Sequence, residues 1–165
     1  MCGIAGWLGK KINKDTCSKI LTRLTHRGPD SFGQWSIESV WLGHKRLTVL
    51  DLSSQGQQPM VSLSKQLILT YNGEIYNYLE LRAELMRNGV HYCSNSDTEV
   101  VLAACEFWGI EKAISRFGGM FSFALYNLNE RVLWLARDSL GIKPLYYTNT
   151  GSEFAFASEL SALQP

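Results

Sequence analysis

The residues best suited to chemistry stand at the start of the chain. Cys2 follows Met1 and precedes a small apolar run, Gly3-Ile4-Ala5-Gly6-Trp7-Leu8. Methionine before a small residue is usually removed, so we expect Cys2 to become the N-terminal residue. Its free α-amine, with a pKa of about 7.7–8, would then be a base on the same residue as the thiol nucleophile. The alternative interpretation is that Cys2 is only a small apolar start to an N-terminal strand.

A second candidate site lies in the run Leu67-Ile68-Leu69-Thr70-Tyr71-Asn72-Gly73-Glu74-Ile75-Tyr76-Asn77. Asn-Gly between apolar segments is a strong marker of a hairpin turn, because both residues tolerate positive φ. The same pair could act differently. The side-chain amide of Asn72 and the backbone N–H of Gly73 could converge on one point as the two donors of an oxyanion hole.

Two charged residues could bind an amino acid. Arg46 ends a predicted strand, and a guanidinium grips a carboxylate in bidentate fashion, although a solvated surface charge is the simpler interpretation. Asp97 opens a predicted helix, where an acid also complements the helix dipole. Since Ser96 can cap that helix, Asp97 is expected to be available to an ammonium group. A nucleophile, an oxyanion hole and these two charges describe a small amino acid with a reactive carbonyl, and glutamine fits.

The histidines are weaker candidates. His26 lies in a turn-forming segment, His26-Arg27-Gly28-Pro29-Asp30, and is predicted to be a structural hydrogen-bonding residue. His44 and His91 have no nearby sequence partner for a catalytic dyad.

The elements that must position these residues follow from hydrophobic patterning. Capping residues Asn77 and Ser96, each with a glutamate three positions on, and glycines 89 and 109 mark two central helices. Strands come before and after these helices without regular βαβ alternation, which predicts an α+β domain of antiparallel sheets layered with helices. The predicted strands are Ile4–Leu8, Val40–Gly43, Leu67–Tyr71, Phe121–Tyr126, Val132–Ala136, Leu145–Thr148 and Glu153–Ala157, and the predicted helices are Cys17–Leu24, Tyr78–Asn88, Asp97–Trp108 and Glu111–Arg116.

Composition narrows the class of protein. The 165 residues carry a net charge of +1 and 45% hydrophobic residues, as in an ordinary single globular domain. Interspersed charges give no electrostatic surface for nucleic acid or an anionic membrane. The four cysteines match no zinc pattern, and no signal peptide or membrane span is evident. We therefore expect a cytoplasmic protein with reduced thiols and with neither nucleic acid nor a membrane as partner.

The chain closely resembles the glutaminase domain of class II glutamine amidotransferases, which are N-terminal-nucleophile hydrolases. The nearest branch is that of the glutamine-hydrolysing asparagine synthetases. The motifs that carry the resemblance span almost the whole chain: Cys2-Gly3-Ile4-Ala5-Gly6, His26-Arg27-Gly28-Pro29-Asp30, Arg46-Leu47 with Asp51-Leu52, Gln57-Gln58-Pro59-Met60, Tyr71-Asn72-Gly73-Glu74-Ile75-Tyr76-Asn77, Ser96-Asp97-Thr98-Glu99, Phe117-Gly118-Gly119-Met120-Phe121-Ser122-Phe123-Ala124, Arg137-Asp138 with Gly141-Ile142-Lys143-Pro144-Leu145-Tyr146-Tyr147, and Ala157-Ser158-Glu159.

The resemblance implies a four-layer αββα sandwich of two antiparallel sheets. It implies that Cys2 attacks the side-chain amide of L-glutamine, and that Asn72 and Gly73 hold the oxyanion. Arg46 would bind the substrate carboxylate. Glu74 and Asp97 would position its amino group.

The resemblance also implies a partner. Asparagine synthetases continue into an ATP-pyrophosphatase domain with a Ser-Gly-Gly-x-Asp-Ser loop, which residues 1–165 lack. We therefore expect an ammonia-accepting synthetase domain, in cis or in trans, and ATP and magnesium only in that domain. Two alternatives stay open: an amidotransferase whose acceptor is a sugar acid or peptide carboxylate, and a non-catalytic glutamine-binding module.

Overall fold

The computed structural model describes residues 1–9, 13–49 and 53–164. Within these residues the chain forms nine strands, four α-helices and two short 3-10 helices. The predicted motif Asp51-Leu52 and residue Pro165 lie outside the described part. The elements are β1 (Gly3–Leu8), α1 (Lys14–Arg23), β2 (Ser31–Ile37), β3 (Val40–Arg46), a 3-10 turn (Ser54–Gly56), β4 (Met60–Val61), β5 (Leu67–Ile75), α2 (Tyr78–Arg87), α3 (Asp97–Trp108), α4 (Ile110–Ile114), β6 (Gly119–Asn127), β7 (Val132–Arg137), β8 (Tyr146–Asn149), β9 (Phe154–Ala157) and a second 3-10 turn (Leu160–Leu163).

The strands form two antiparallel sheets. One has the order β2-β3-β1-β9-β8, and the other has the order β4-β5-β6-β7. The strand β1 is the middle strand of the first sheet, with Gly3 opposite Lys45 of β3 and Ala5 opposite Ala157 of β9. Cys2 immediately precedes β1, so the fold places it at one end of a central strand.

Alternation along the strands divides the core into three layers. Ile4 of β1 packs between the sheets with Ile68 of β5, whereas the next residue, Ala5, packs against Leu21 of α1. In β5, Leu69 faces the opposite way and packs against α2 and α3. The order of layers is therefore α1, sheet, sheet, then α2 and α3. The predicted αββα sandwich is confirmed.

The sequence analysis did not predict two of the observed strands, β2 and β4. The edge strand β2 has partly polar, half-exposed residues that give a weak pattern, and β4 has only two residues. The strands β3 and β5 also continue beyond their predicted ends at Gly43 and Tyr71.

Helix capping was predicted correctly at one start and wrongly at the other. The Ser96 side chain accepts the backbone N–H of Thr98 and caps α3, as expected. Asn77 makes no side-chain cap on α2; it donates to the Arg116 carbonyl at 3.0 Å and accepts the Gly118 N–H at 3.0 Å instead. Tertiary contacts with the segment after α4 thus replace the local cap.

The helices α2 and α3 are followed by Gly89 and Gly109 at φ of +88° and +82°, the positive values that favour glycine after a helix. None of the described helices is long and apolar enough to cross a bilayer.

Candidate active site

One cavity of about 220 Å³ brings the predicted site residues together. It lies where the start of β1, the end of β3, the second half of β5 and the start of α3 meet. This volume is below the range of about 300–1,000 Å³ that is typical for drug-sized ligands, and suits a smaller molecule. The six predicted residues that line it are Cys2, Arg46, Asn72, Gly73, Glu74 and Asp97.

The nucleophile candidate, Cys2, is held on two sides by backbone and side-chain contacts. Its sulfur lies 3.4 Å from the backbone nitrogen of Leu47 and 3.6 Å from the carbonyl oxygen of the same residue. Its own carbonyl accepts a hydrogen bond from Nε of Arg27 at 3.0 Å. Burial raises the pKa of the Cys2 thiol, although the Leu47 N–H, the terminal ammonium and Arg46 counteract part of that rise. A thiol in this state needs a base to become a thiolate.

Arg27 is fixed in turn by an acidic partner. Its guanidinium lies 3.1 Å from Oε1 of Glu159, and Nε2 of His26 lies 2.8 Å from the same oxygen. Both basic residues of the His-Arg-Gly-Pro-Asp motif therefore support the backbone around Cys2. His26 takes part in hydrogen bonding within the scaffold, as predicted, and does not line the cavity.

Asn72 and Gly73 form no turn, which corrects the hairpin interpretation. They lie within β5 and pair with Ser122 and Phe121 of β6, because nine consecutive residues of each strand form one ladder that overrides the local turn preference. A Cβ at Gly73 would lie 2.6 Å from the Met120 carbonyl oxygen, so the close approach of β6 requires glycine here.

The side chain of Asn72 is left with an open donor. It is only 2% exposed, and its Nδ2 finds no hydrogen-bond partner among the described residues. A buried donor of this kind costs free energy unless something accepts from it. An oxygen of a bound molecule in the adjoining cavity can do so.

The two predicted charged residues lie in the same cavity. Nη1 of Arg46 donates to the Ser53 carbonyl at 2.8 Å, which anchors its guanidinium at the cavity wall. Asp97 is 5% exposed, and its Oδ2 accepts from the Tyr71 hydroxyl at 2.8 Å and from the Ile75 N–H at 3.1 Å. Asp97 is thus more engaged with its surroundings than the sequence predicted, although Ser96 does cap the helix.

The electrostatic state of Asp97 follows from its burial. Desolvation raises the pKa of its carboxyl, while the hydrogen bonds from Tyr71 and from the N–H groups of Ile75 and Thr98 lower it, and the nearby charge of Glu74 raises it. A cation bound between the carboxylates of Asp97 and Glu74 offsets the repulsion between their negative charges. The site can therefore attract an ammonium group on one side and a carboxylate, through Arg46, on the other.

The cavity is also lined by Gln58, Tyr71 and Lys143, three polar residues to which the sequence analysis assigned no role. Gln58 is 5% exposed; its Oε1 accepts the Tyr71 N–H at 2.6 Å, and its Nε2 donates to Thr98 at 3.3 Å. Gln58 thus joins the loop before β4 to β5 and α3, and it holds Tyr71 against Asp97. The third is Lys143, which is 4% exposed. Both Gln58 and Lys143 belong to motifs that carry the family resemblance, but no pattern in the neighbouring sequence indicates that their side chains reach this cavity.

His44 lies outside the cavity, between the sheets. It is 1% exposed, and burial lowers its pKa to about 3, so its ring is neutral. His91 does not line the cavity either. Within residues 1–9, 13–49 and 53–164, no group of three or more His, Cys, Asp or Glu residues is arranged to hold a metal ion.

Known proteins resemble this chain over nearly its whole length. A profile described as "Glutamine amidotransferase domain" matches residues 1–165. The glutamine-hydrolysing asparagine synthetase 3 of Bacillus subtilis is 40% identical over 169 residues, which cover 99% of this chain and 27% of that protein. The glutamine-hydrolysing asparagine synthetase of Zea mays is 39% identical over 169 residues, covering 99% of this chain and 28% of that protein. The chain thus spans about a quarter of the length of the curated relatives it matches.

Among solved structures, the glutamine phosphoribosylpyrophosphate amidotransferase of B. subtilis, complexed with ADP and GMP, superposes with a TM-score of 0.85. The match covers 98% of this chain and 43% of that chain at 22% identity. At that identity the likeness establishes the fold alone.

Proposed function

The chain belongs to the glutamine amidotransferase domain family, and from that membership we propose that it hydrolyses L-glutamine to glutamate and ammonia. The observation that carries the proposal is the shared cavity. It is lined by Cys2, Arg46 and Asp97 and by Asn72, whose Nδ2 has no hydrogen-bond partner among the described residues.

The chemistry begins with removal of Met1, which frees the α-amine of Cys2. That amine takes the thiol proton, and the sulfur attacks the side-chain carbonyl carbon of glutamine. The carbonyl oxygen becomes an oxyanion, which Nδ2 of Asn72 and the N–H of Gly73 stabilise. The ammonium then returns its proton to the amide nitrogen, the C–N bond breaks, and ammonia leaves a γ-glutamyl thioester. Water, deprotonated by the same amine, hydrolyses that thioester to glutamate and restores the thiol.

Substrate recognition uses the charges of the cavity. Arg46 binds the α-carboxylate of glutamine, because a guanidinium matches the two carboxylate oxygens. Asp97 and Glu74 bind the α-ammonium group. The raised pKa of the Asp97 carboxyl fits this role, since a cation brought into the site lowers the cost of its negative charge.

The ammonia acceptor is proposed from the relatives. Since similar proteins are named asparagine synthetases, we propose that the ammonia feeds an asparagine-forming step in a synthetase domain, in cis or in trans. ATP and magnesium would act in that domain, and this domain would need neither. The free thiols of all four cysteines support a location in the reducing cytoplasm.

The test is covalent labelling by the glutamine-like electrophile 6-diazo-5-oxo-norleucine, followed by intact mass and peptide mapping. We expect loss of Met1 and one adduct on Cys2 in the wild type. Cys93→Ala, which removes an exposed thiol outside the cavity, should label normally. Cys2→Ala should not label and should lose glutaminase turnover while still binding glutamine.

A folded, processed wild type that binds glutamine but stays unlabelled would overturn the proposed reaction in favour of a glutamine-binding module. Wild-type turnover in Cys2→Ala would overturn the assignment of the nucleophile.

A further inference from the structure

The motif from Arg137 to Pro144 builds a tight loop that has no role in the reaction described above. Asp138 accepts three backbone N–H groups: that of Phe121 at 3.2 Å, that of Ile142 at 2.8 Å and that of Lys143 at 3.0 Å. Nε of Arg137 donates to the Lys143 carbonyl at 2.8 Å. Three of these four bonds fix the backbone at or next to residue 143, and the fourth ties Asp138 to Phe121 of β6. The loop therefore fixes the backbone position from which the Lys143 side chain extends.

The Lys143 side chain lies in the active-site cavity. It lines the cavity with Cys2, is 4% exposed overall, and reaches Met1, whose sulfur lies 3.0 Å from Nζ. Met1 is the residue that processing removes, so this contact is lost in the mature protein. No ion pair of the described residues includes Lys143.

The other charged side chains near Cys2 either have hydrogen-bond or ion-pair partners or are proposed to bind glutamine. Arg27 pairs with Glu159, and the Asp138 carboxylate is taken up by backbone N–H groups. Under the proposed function, bound glutamine pairs its carboxylate with one guanidinium and its ammonium with two acids. Lys143 forms no such pair among the described residues, although the charges of Glu74 and Asp138 act on it. The charged and titratable groups that contact Cys2, line its cavity or act on Lys143 are Arg27, Arg46, Tyr71, Glu74, Asp97 and Asp138.

A cation in this position acts on its titrating neighbours. Burial lowers the pKa of Lys143, the charge of Arg27 lowers it further, and Glu74, Cys2 and Asp138 raise it. Electrostatic coupling is reciprocal, so the ammonium of Lys143 disfavours a second positive charge nearby. Two groups of processed Cys2 are exposed to this effect: the thiol, whose ionised form the ammonium stabilises, and the α-amine, which must be neutral to accept the thiol proton.

We propose that Lys143 is a positioning residue whose positive charge keeps the α-amine of processed Cys2 in its neutral, base-competent form. The proposal rests on the proposed function, because it concerns the base of that reaction. It gives the Arg-Asp and Gly-Ile-Lys-Pro segments of the sequence one shared purpose, which is to place an ammonium group in the cavity of the nucleophile.

The test is the pH dependence of glutaminase kcat/KM, which reports the ionisation of the free enzyme. In the processed wild type, we expect the acid limb to have its midpoint below the ordinary α-amine pKa of about 7.7–8. Lys143→Met, which keeps the length but not the charge, should move that midpoint up by about one pH unit. Its kcat/KM should therefore fall about tenfold below pH 7 and approach the wild-type value near pH 9.

Two controls separate charge from shape. Lys143→Arg keeps the charge and should keep the wild-type midpoint. Lys112→Met removes an exposed charge on α4, away from the cavity, and should change nothing. Lys143→Gln provides a second neutral variant in case the methionine variant does not fold.

Three results would overturn the proposal. One is a loss of equal size at every pH in the neutral variants, because that indicates a structural role only. Another is a Lys143→Arg enzyme that behaves like Lys143→Met. The third needs no variant: a wild-type midpoint at or above about 8 leaves no effect to explain. A wild type that hydrolyses no glutamine at any pH would overturn the proposed function as well, so the two failures are distinguishable.

Discussion

Replacing Asn72 by leucine should change stability and catalysis in opposite directions. The Asn72 side chain is 2% exposed, and its Nδ2 finds no partner among the described residues. A buried, unsatisfied donor costs about 1–3 kcal/mol, and Asn72→Leu removes that donor while filling a similar volume. We expect the free energy of unfolding to rise by about 1 kcal/mol, which for a domain of this size raises Tm by about 2–4 °C.

The same substitution removes one of the two proposed oxyanion donors. Loss of one such donor costs about 2.7–4 kcal/mol of transition-state stabilisation, so kcat for glutamine hydrolysis should fall by about 10²–10³-fold. KM should change little, because the donor acts on charge that develops only in the transition state. Thermal unfolding and steady-state ammonia release, measured on the same processed protein, give both numbers.

Thr70→Val is the matched control. Thr70 lies on the same strand, two residues earlier and on the same face, and its hydroxyl donates to the Gly43 carbonyl at 3.3 Å, outside the cavity. Loss of that bond should lower stability by about 0.5–1.5 kcal/mol and leave kcat unchanged. An Asn72→Leu enzyme with kcat within threefold of the wild type would refute the oxyanion role, and a clear drop in its Tm would refute the idea that this donor is unsatisfied in the resting protein.

Three further outcomes are expected. Arg46→Ala should raise KM for glutamine by about tenfold or more with little change in kcat, since a charge-assisted bond of about 1.5–3 kcal/mol is lost from ground state and transition state alike; a fall in kcat alone would contradict this. Burial raises the pKa of the Asp97 carboxyl, so as pH falls its protonation begins above the usual aspartate range and raises KM for glutamine. Tyr71→Phe removes a hydrogen bond that lowers this pKa and should move the rise in KM to still higher pH. A KM that is flat down to about pH 4 would refute the role of Asp97 in binding the ammonium group. Gly33→Ala should lower the free energy of unfolding by about 1–3 kcal/mol, because the new Cβ would lie 2.0 Å from the carbonyl oxygen of Gln58. Gly118→Ala is the control: its Cβ would have its nearest atom at 3.5 Å, so Tm should not change.

Sequence patterns predicted an element correctly where its bounds depend only on residues close to it in the chain. The bounds of α3, Asp97–Trp108, match the prediction, because the Ser96 cap and the following glycine act within the segment. The pattern of buried strands also predicted antiparallel sheets layered with helices, since each strand must bury one or both faces, and the family resemblance implied that the sheets are two. The edge strand β2 was missed because its side chains are half-exposed and its hydrophobic pattern is correspondingly weak.

Long-range pairing reversed one local preference. Asn72-Gly73 is a favourable turn sequence, but the ladder between β5 and β6 runs through it without interruption. At the start of α2, the Asn77 side chain likewise bonds to the segment after α4 instead of capping its own helix. Turn and cap propensities amount to about 1 kcal/mol, which is less than a continuous ladder and its packing contribute together.

The sequence by itself determined the family and predicted the nucleophile and the other candidate residues, because these depend on residue type and on order along the chain. Only the tertiary structure decided that Asn72 is a strand residue with an open donor, that Tyr71 and Gln58 support Asp97, and that Lys143 lies beside Cys2. Those facts depend on which loops and strands meet across separations that range from 13 residues, for Gln58 and Tyr71, to 142 residues, for Met1 and Lys143. Contact at that separation is set by how the two sheets and their loops pack, and no local pattern encodes it.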